Sequence, residues 1–259
     1  MTRRAAALVA TAFLWPLTGC GEARLDAVGL PPGVIADGLV AHWTLDEGGG
    51  TTAADTSGNR YDGQLTGGTW LAADGQFGGG LRLAAGDAVA VPGFPAATPS
   101  WSVALWLRMS NEQMAFNNND TFTAVLSTEN IGSAGWSVNI DKRLADPRFV
   151  FSYWSPPLTG YIGVECSCVD TGAWVHWAAV VDADTDRITL YRDGTVADQE
   201  TRPSDIVPGD STLYFGRWNM DGRLLNGDLD DIAVWQRALT PEEITALTTQ
   251  PPARAAATR

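Results

Sequence analysis

Between Leu39 and Trp235 the chain runs in short apolar stretches, each closed by glycine, aspartate or asparagine. Ten of them read as β-strands: Leu39 to Leu45, Ala88 to Val91, Ser102 to Met109, Thr123 to Ser127, Gly135 to Ile140, Arg148 to Tyr153, Trp174 to Val181, Arg187 to Arg192, Ser211 to Gly216 and Asp228 to Trp235. Apolar and polar residues alternate along several of these with the period of two that places successive side chains on opposite faces of a sheet. Ile188 and Leu190 share one face, and Asp193-Gly194 supplies a hairpin turn before Thr195-Val196. In Asp228 to Trp235, Ile232 and Val234 share a face opposite Asp231, Ala233 and Trp235. Trp101, Trp106, Trp174 and Trp177 stand in or beside these stretches and are assigned to the core, because tryptophan is highly buried on average. Repeated short strands with this punctuation predict a β-sandwich. A single helix start is legible. Thr240 can cap, Pro241 suits the first turn, and Glu243 completes a capping box ahead of Ile244, Ala246 and Leu247, which predicts one or two helical turns.

The ends are patterned differently. Arg3-Arg4, an apolar run from Ala5 to Trp15 and small residues before Cys20 have the layout of a secretory signal peptide. The run is shorter than the roughly 20 residues a helix needs to span a bilayer. Leu17-Thr18-Gly19-Cys20 resembles the lipobox of bacterial lipoproteins, which implies acylation of the Cys20 thiol and cleavage that leaves Cys20 at the new N-terminus. Residues 1–19 are then the signal peptide, and residues 20–36 the lipidated cysteine and a flexible linker stiffened by Pro31-Pro32-Gly33. Residues 37–248 form the β-rich domain, within the size a single sandwich can reach. Residues 249–259, with Pro251-Pro252 and an alanine-rich end, read as a disordered tail. The expected location is the bacterial cell envelope, with the exported protein held by lipid at the outer membrane or the cell surface.

Charge narrows the partners. The formal net charge of −13 becomes −15 once Arg3 and Arg4 leave with the signal peptide, so a phosphate backbone is repelled and nucleic acid is not an expected partner. With Cys20 committed to lipid, Cys166-Ser167-Cys168 remains, a spacing that puts both side chains on one face of a strand. An exported location permits a disulfide between Cys166 and Cys168; two half-buried thiols and a C-x-C redox pair are the alternatives. A metal there would need further ligands, and His42 and His176 are distant in sequence.

Longer motifs carry a family resemblance. His42-Trp43-Thr44-Leu45-Asp46-Glu47-Gly48-Gly49-Gly50-Thr51-Thr52, then Asp55-Thr56-Ser57-Gly58-Asn59 and Asp62-Gly63, resembles the opening of laminin G-like domains of the concanavalin A-like lectin and glucanase superfamily. Phe77 to Leu83, Trp101 to Trp106, and Trp174 to Trp177 with Tyr191 to Gly194 resemble the following blocks. Gly227 to Ile232, then Arg237 to Ile244, resembles the closing strand and short helix. The blocks occur in order over residues 37 to about 248, and the polar stretch Asn111 to Thr121 departs from the pattern as a longer loop. The resemblance implies an all-β, two-sheet antiparallel jelly-roll sandwich with a short C-terminal helix. It also implies a structural calcium ion where the first strand and its following loop meet the closing strand, which nominates Asp46, Asp55, Asn59 and Asp230. An Asx-turn explains Asp55 and Asn59 equally well without an ion.

The superfamily hosts lectins, glycosidases, lyases and adhesion modules, so fold alone does not assign function. The Glu-x-Asp-x-x-Glu run of the jelly-roll glucanases is absent, and no Gly-x-Ser-x-Gly elbow occurs. Asp228 and Asp230 have the spacing of a carboxylate pair, but a structural or metal role accounts for them more economically. Catalysis is not expected. Aromatic rings can stack on sugar faces, and Trp70, Trp136, Tyr153, Trp154, Tyr161 and Trp218 stand in loops or at strand ends. Tyr153, Trp154 and Trp218 are taken as the ligand-binding candidates. The expected function is therefore a lipid-anchored, non-catalytic binding module for a glycan or a protein surface. A hydrolase or lyase with a nonstandard carboxylate pair, and a structural or adhesion protein without a small ligand, are the alternatives.

Overall fold

The computed structural model describes residues 34–84, 86–111, 122–129, 134–143, 146–155, 160–201, 209, 211–219 and 223–252. Residues 1–33, which hold the expected signal peptide, Cys20 and most of the expected linker, lie outside the described residues, as do residues 112–121 and 253–259. The strands are β1 (Leu39–Trp43), β2 (Thr52–Ala53), β3 (Gly63–Thr66), β4 (Thr69–Leu71), β5 (Gly80–Leu83) and β6 (Ala88–Pro92). They continue as β7 (Trp101–Met109), β8 (Phe122–Ser127), β9 (Trp136–Asp141), β10 (Arg148–Ser155) and β11 (Gly160–Cys166). The remainder are β12 (Val175–Asp182), β13 (Arg187–Arg192), β14 (Thr195–Thr201), β15 (Thr212–Phe215) and β16 (Gly227–Trp235), followed by helix α1 (Pro241–Leu247).

All ten stretches predicted from the pattern are strands. The six others are short, polar or rich in glycine, and it is neighbouring strands that hold them extended. β14, for instance, is mostly exposed and is held by its pairing with β13.

Two antiparallel sheets stack face to face. The first runs β14-β13-β12-β7-β16-β5-β4, with β1 also paired to β16; the second runs β11-β10-β9-β8-β15-β6-β3-β2. Their facing sides bury one core that includes Trp43, Leu81, Leu83, Trp101, Leu105, Phe149, Phe151, Trp177, Ile188, Leu190, Phe215 and Ile232. Ile188, Leu190, Ile232 and Val234 occupy this core as their alternation predicts. Trp101 tilts onto Trp136, and Phe149 stacks on Trp177 with ring centroids 3.8 Å apart.

A smaller apolar layer covers the back of the first sheet. There Ala104, Ala178, Val180, Tyr191, Ala233 and Trp235 meet Leu239, Ile244 and Leu247 of the helical segment. The capping box forms as predicted: Glu243 N–H donates to Thr240 Oγ1, and Thr240 N–H donates to Glu243 Oε2 at 2.8 Å. The first described element is a 3-10 turn, Val34–Ala36, where Ile35 is buried and its carbonyl accepts the Trp235 Nε1 hydrogen bond at 2.6 Å.

Two of the four tryptophans assigned to the core sit elsewhere. Trp106 is buried on the back of the first sheet against Phe77 and His176. Trp174 is half-buried beneath the Arg108 guanidinium, 4.7 Å from its ring centroid. Both positions arise because β7 and the approach to β12 present side chains to either face of a sheet covered on both sides.

Candidate ligand-binding site

The second sheet also has an outward face, and the alternation of β9 and β10 shows what it carries. Trp136, Val138 and Ile140 of β9, with Phe149, Phe151 and Tyr153 of β10, point into the core. Ser137, Asn139 and Asp141, with Val150, Ser152 and Trp154, therefore point outward. A solvent face of this kind is ordinarily exposed, yet Ser137, Asn139, Asp141 and Ser152 are all buried. Three of them, Asn139, Asp141 and Ser152, line a cleft of about 600 Å³ together with Phe122, Glu129, Arg143, Glu165, Trp218 and Arg223. At Gly163 in β11 the floor is bare backbone; a Cβ there would stand 2.4 Å from the Phe151 carbonyl oxygen.

The polar row is internally bonded. Asn139 Nδ2 donates to Ser137 Oγ at 2.6 Å, and its Oδ1 accepts Trp218 Nε1–H at 3.2 Å. Arg143 donates from Nε and Nη2 to Asp141, with Nη2 at 2.7 Å from Oδ2. Burial works to raise the Asp141 pKa, but the hydrogen bonds and charge of Arg143 outweigh it and hold the carboxyl below its ordinary value. Glu165 pairs with Arg148 at the rim. Rings and guanidiniums interleave above the row. Arg143 and Arg223 lie 4.4 and 4.9 Å from the Phe122 ring centroid, and Arg223 lies 3.4 Å from that of Trp218. Glu129 is buried at the same cleft, its N–H donating to Ser127 Oγ at 3.0 Å.

A second depression, of about 560 Å³, opens on the first sheet around Asp74, Arg82, Arg108 and Asp228. Its charges satisfy one another. Arg82 and Arg108 both bond Asp228, and Arg108 also bonds Asp74. Asp228 is thereby a structural anion, and the cleft on the second sheet is the stronger candidate.

A family model described as the concanavalin A-like lectin/glucanases superfamily, within its laminin G branch, matches residues 83–245, more than half of the chain. The chain belongs to this superfamily. Among curated proteins, none matches the sequence. Domain 4 of an extracellular GH43 arabinanase from Geobacillus stearothermophilus, solved with arabinotriose, superposes with a TM-score of 0.64 at 22% identity, covering 82% of this chain and 98% of that one. The botulinum neurotoxin serotype D binding domain superposes with a TM-score of 0.62 at 16% identity, covering 82% of this chain and 52% of its own. A second structure of the serotype D ligand-binding domain, with N-acetylneuraminic acid, gives 0.60 at 17% identity, covering 82% and 51%. The chain thus spans about half the length of the toxin domains it matches. At these identities the likeness shows the jelly-roll fold.

This superfamily member distributes the predicted site residues unevenly. Trp218 does line the cleft, although it is buried to 4% exposure and turned toward Asn139 and Arg223. Trp154 is half-buried on the outward face, one step along β10 from Ser152, with its N–H donating to the Gly135 carbonyl. Tyr153 is a correction: at 1% exposure it is a core residue, because adjacent residues of a strand face opposite sides. Trp136 is likewise core, and Trp70 is tied to the Gly50 carbonyl away from the cleft. Cys166 and Cys168 form the disulfide, with Cα atoms 5.2 Å apart at the end of β11.

The four residues nominated for calcium do not assemble one oxygen cage. Asp55 accepts the N–H groups of His42, Ser57 and Tyr61 and the Ser57 hydroxyl, which is the Asx-turn arrangement. Asn59 turns its Nδ2 donors to the Leu39 and Val40 carbonyls. Asp46 accepts Gly79 N–H at 2.7 Å, and Asp230 accepts Gln76 and Phe77 N–H at 2.7 and 2.9 Å. No group of three or more His, Cys, Asp or Glu able to hold a metal ion occurs among the described residues.

Asp230 and Asp231 instead mark a bulge where β16 changes neighbours, from β5 at Gly227 to Leu229 to β1 at Ile232 to Trp235. Asp231 takes a φ of 43°, and its carboxylate stands 2.7 Å from His42 Nε2 on β1. Asp230 anchors the turn before β5, where Gly75 is required: a Cβ there would lie 1.4 Å from the Gly79 oxygen.

Phe122, Glu129, Asn139, Asp141, Arg143 and Arg223 belong to the cleft and were not singled out by sequence reasoning. A signal existed in the polar series Ser137, Asn139 and Asp141, which alternates with core residues. Its burial depends on loops contributed by distant parts of the chain.

Proposed function

We propose that this protein is a lipid-anchored, non-catalytic binding module of the bacterial envelope that holds a glycan in the cleft on the outward face of the second sheet. The observation that carries this reading is the row Asn139, Asp141 and Ser152, polar and buried at the floor of a cleft of about 600 Å³. Such a floor offers hydrogen bonds at fixed positions to a hydroxylated ligand, and concave sites with a few placed polar groups are the usual small-ligand sites. Trp154 extends the same face and provides ring area for a sugar. Support also comes from fold relatives solved with arabinotriose and with N-acetylneuraminic acid. The export and anchoring part of the proposal rests on Arg3-Arg4, the apolar run and the lipobox-like Leu17 to Cys20. A glycan array probed with the Cys20→Ala protein, with and without calcium, tests the binding role. Binding to no glycan returns the protein to a structural or adhesive role.

One observation favours a second reading as a polysaccharide hydrolase: Glu129 and Asp141, two carboxylates, line the same cleft. Arg143 keeps Asp141 ionised, which suits a base or nucleophile and leaves the acid role to Glu129. Release of reducing ends from a polysaccharide panel, abolished by Glu129→Gln, would establish this activity in place of simple binding.

A further inference from the structure

Resting on the reading of the cleft as a glycan site, we propose that the saccharide it selects is acidic, with a sugar carboxylate seated between Arg143 and Arg223. The charges of the cleft are layered. Asp141 lies at the bottom with its side chain 6% exposed, while its partner Arg143 stands above it at 56%. Arg143 spends Nε and Nη2 on Asp141, and its Nη1 edge takes no part in that pairing. Arg223 approaches the same Phe122 ring that Arg143 covers. Two guanidiniums are thus gathered at the mouth of one cleft, in a chain whose formal net charge is −13.

The rings matter as much as the charges. The guanidiniums of Arg143 and Arg223 lie against Phe122, and Arg223 lies against Trp218, so these rings serve as seats for the arginines rather than as open platforms for a sugar. A guanidinium held flat on an aromatic face loses little further freedom on binding and is weakly hydrated, and its planar fork matches a carboxylate. Hydrogen bonds between charged groups of this kind are roughly twice as strong as neutral ones. A neutral sugar engages only the polar row below and Trp154 beside it. An acidic one engages the arginines as well.

The test is calorimetric titration of the Cys20→Ala protein with matched pairs, namely oligogalacturonates against their methyl esters and sialylated oligosaccharides against their desialylated cores. The expected result is at least tenfold tighter binding of one acidic member than of its neutral partner, weakening as salt is raised. Arg223→Gln should lose at least tenfold in affinity for that acidic member. Arg143→Lys, which keeps a cation beside Asp141 but removes the fork, should act in the same direction if Arg223→Gln proves unstable. Equal binding within every pair, or binding of neutral members only, overturns this proposal and leaves the glycan reading standing. Binding of no member of either set, together with a blank glycan array, overturns both.

Discussion

Replacing Asp230 with asparagine tests whether the buried carboxylates of β16 exist to receive amide donors. Asp230 is 0% exposed; its Oδ1 accepts Asp231 N–H at 2.8 Å, and its Oδ2 accepts Gln76 and Phe77 N–H at 2.7 and 2.9 Å. Asparagine has one oxygen to offer. If that oxygen faces the turn, the new NH₂ confronts Asp231 N–H, and one buried donor is left without a partner at about 1–3 kcal/mol; in the other orientation two are. The uncharged side chain offsets part of this loss by sparing the burial of a charge, and that part depends on pH. Burial first, and then the neighbouring Asp231 charge, push the Asp230 carboxyl up to about 7 against the amide bonds that lower it. A carboxyl raised in the folded state contributes stability that is fully present below its unfolded pKa, near 3.9, and is lost as pH rises through the folded value.

The window is therefore from about pH 4 to pH 7. A tenfold change in proton affinity is about 1.4 kcal/mol, so the parent should gain on Asp230→Asn by up to ~4 kcal/mol on going from pH 8 to pH 4. His176, buried and held down to about 3 by desolvation, works in the opposite sense. Its unfolded form takes up a proton below about pH 6.5 and so destabilises the fold there. It does so equally in both proteins and cancels in the difference. Urea denaturation of parent and variant at pH 8, 6 and 4.5 measures the effect. A stability difference that is flat across this range would show that Asp230 titrates no differently folded than unfolded, and would refute the reasoning.

Further predictions concern the cleft face, the turns and the anchor. Tyr153→Ala should cost about 3–5 kcal/mol of folding free energy as a core truncation, whereas Trp154→Ala, one residue away on the outward face, should cost far less and weaken glycan binding; comparable melting losses for the two would contradict the facing assigned to β10. Chelation of calcium should leave the melting temperature unchanged, because Asp46, Asp55 and Asp230 are already bonded to N–H donors and Asn59 turns its donors to carbonyls; a clear fall in scanning calorimetry would restore these residues as ion ligands. If the proposed lipid anchor is present, Cys20→Ala should move the protein from the membrane fraction to the soluble one, since stable anchoring takes more than one acyl chain and the Cys20 thiol is the proposed point of attachment; full retention with membranes would dismiss the anchor.

Much of the fold is local enough to be written in the chain. Period-two alternation placed Ile188, Leu190, Ile232 and Val234 in the core, and the Thr240-Pro241-Glu242-Glu243 capping box fixed the start of the helix, because both depend on residues within a few positions of one another. The turn at Asp55 was legible for the same reason, since an Asx-turn is made within its own loop. The facing of Tyr153 against Trp154 follows from the same alternation, once the neighbours of β10 show which side is inward.

Only the tertiary structure decided the rest. The outward row with Asn139 and Asp141 reads as an ordinary solvent face until Trp218 and Arg223, from the distant segment after β15, join Glu129 at the end of β8 around it. Likewise Asp230-Asp231 is a plain acidic pair in sequence. Its role appears when β16 leaves β5 for β1 at that point, and the two carboxylates are turned to different neighbours. Burial and charge pairing between residues far apart in the chain are properties of the assembled sheets. They have no periodicity in the sequence from which to be read.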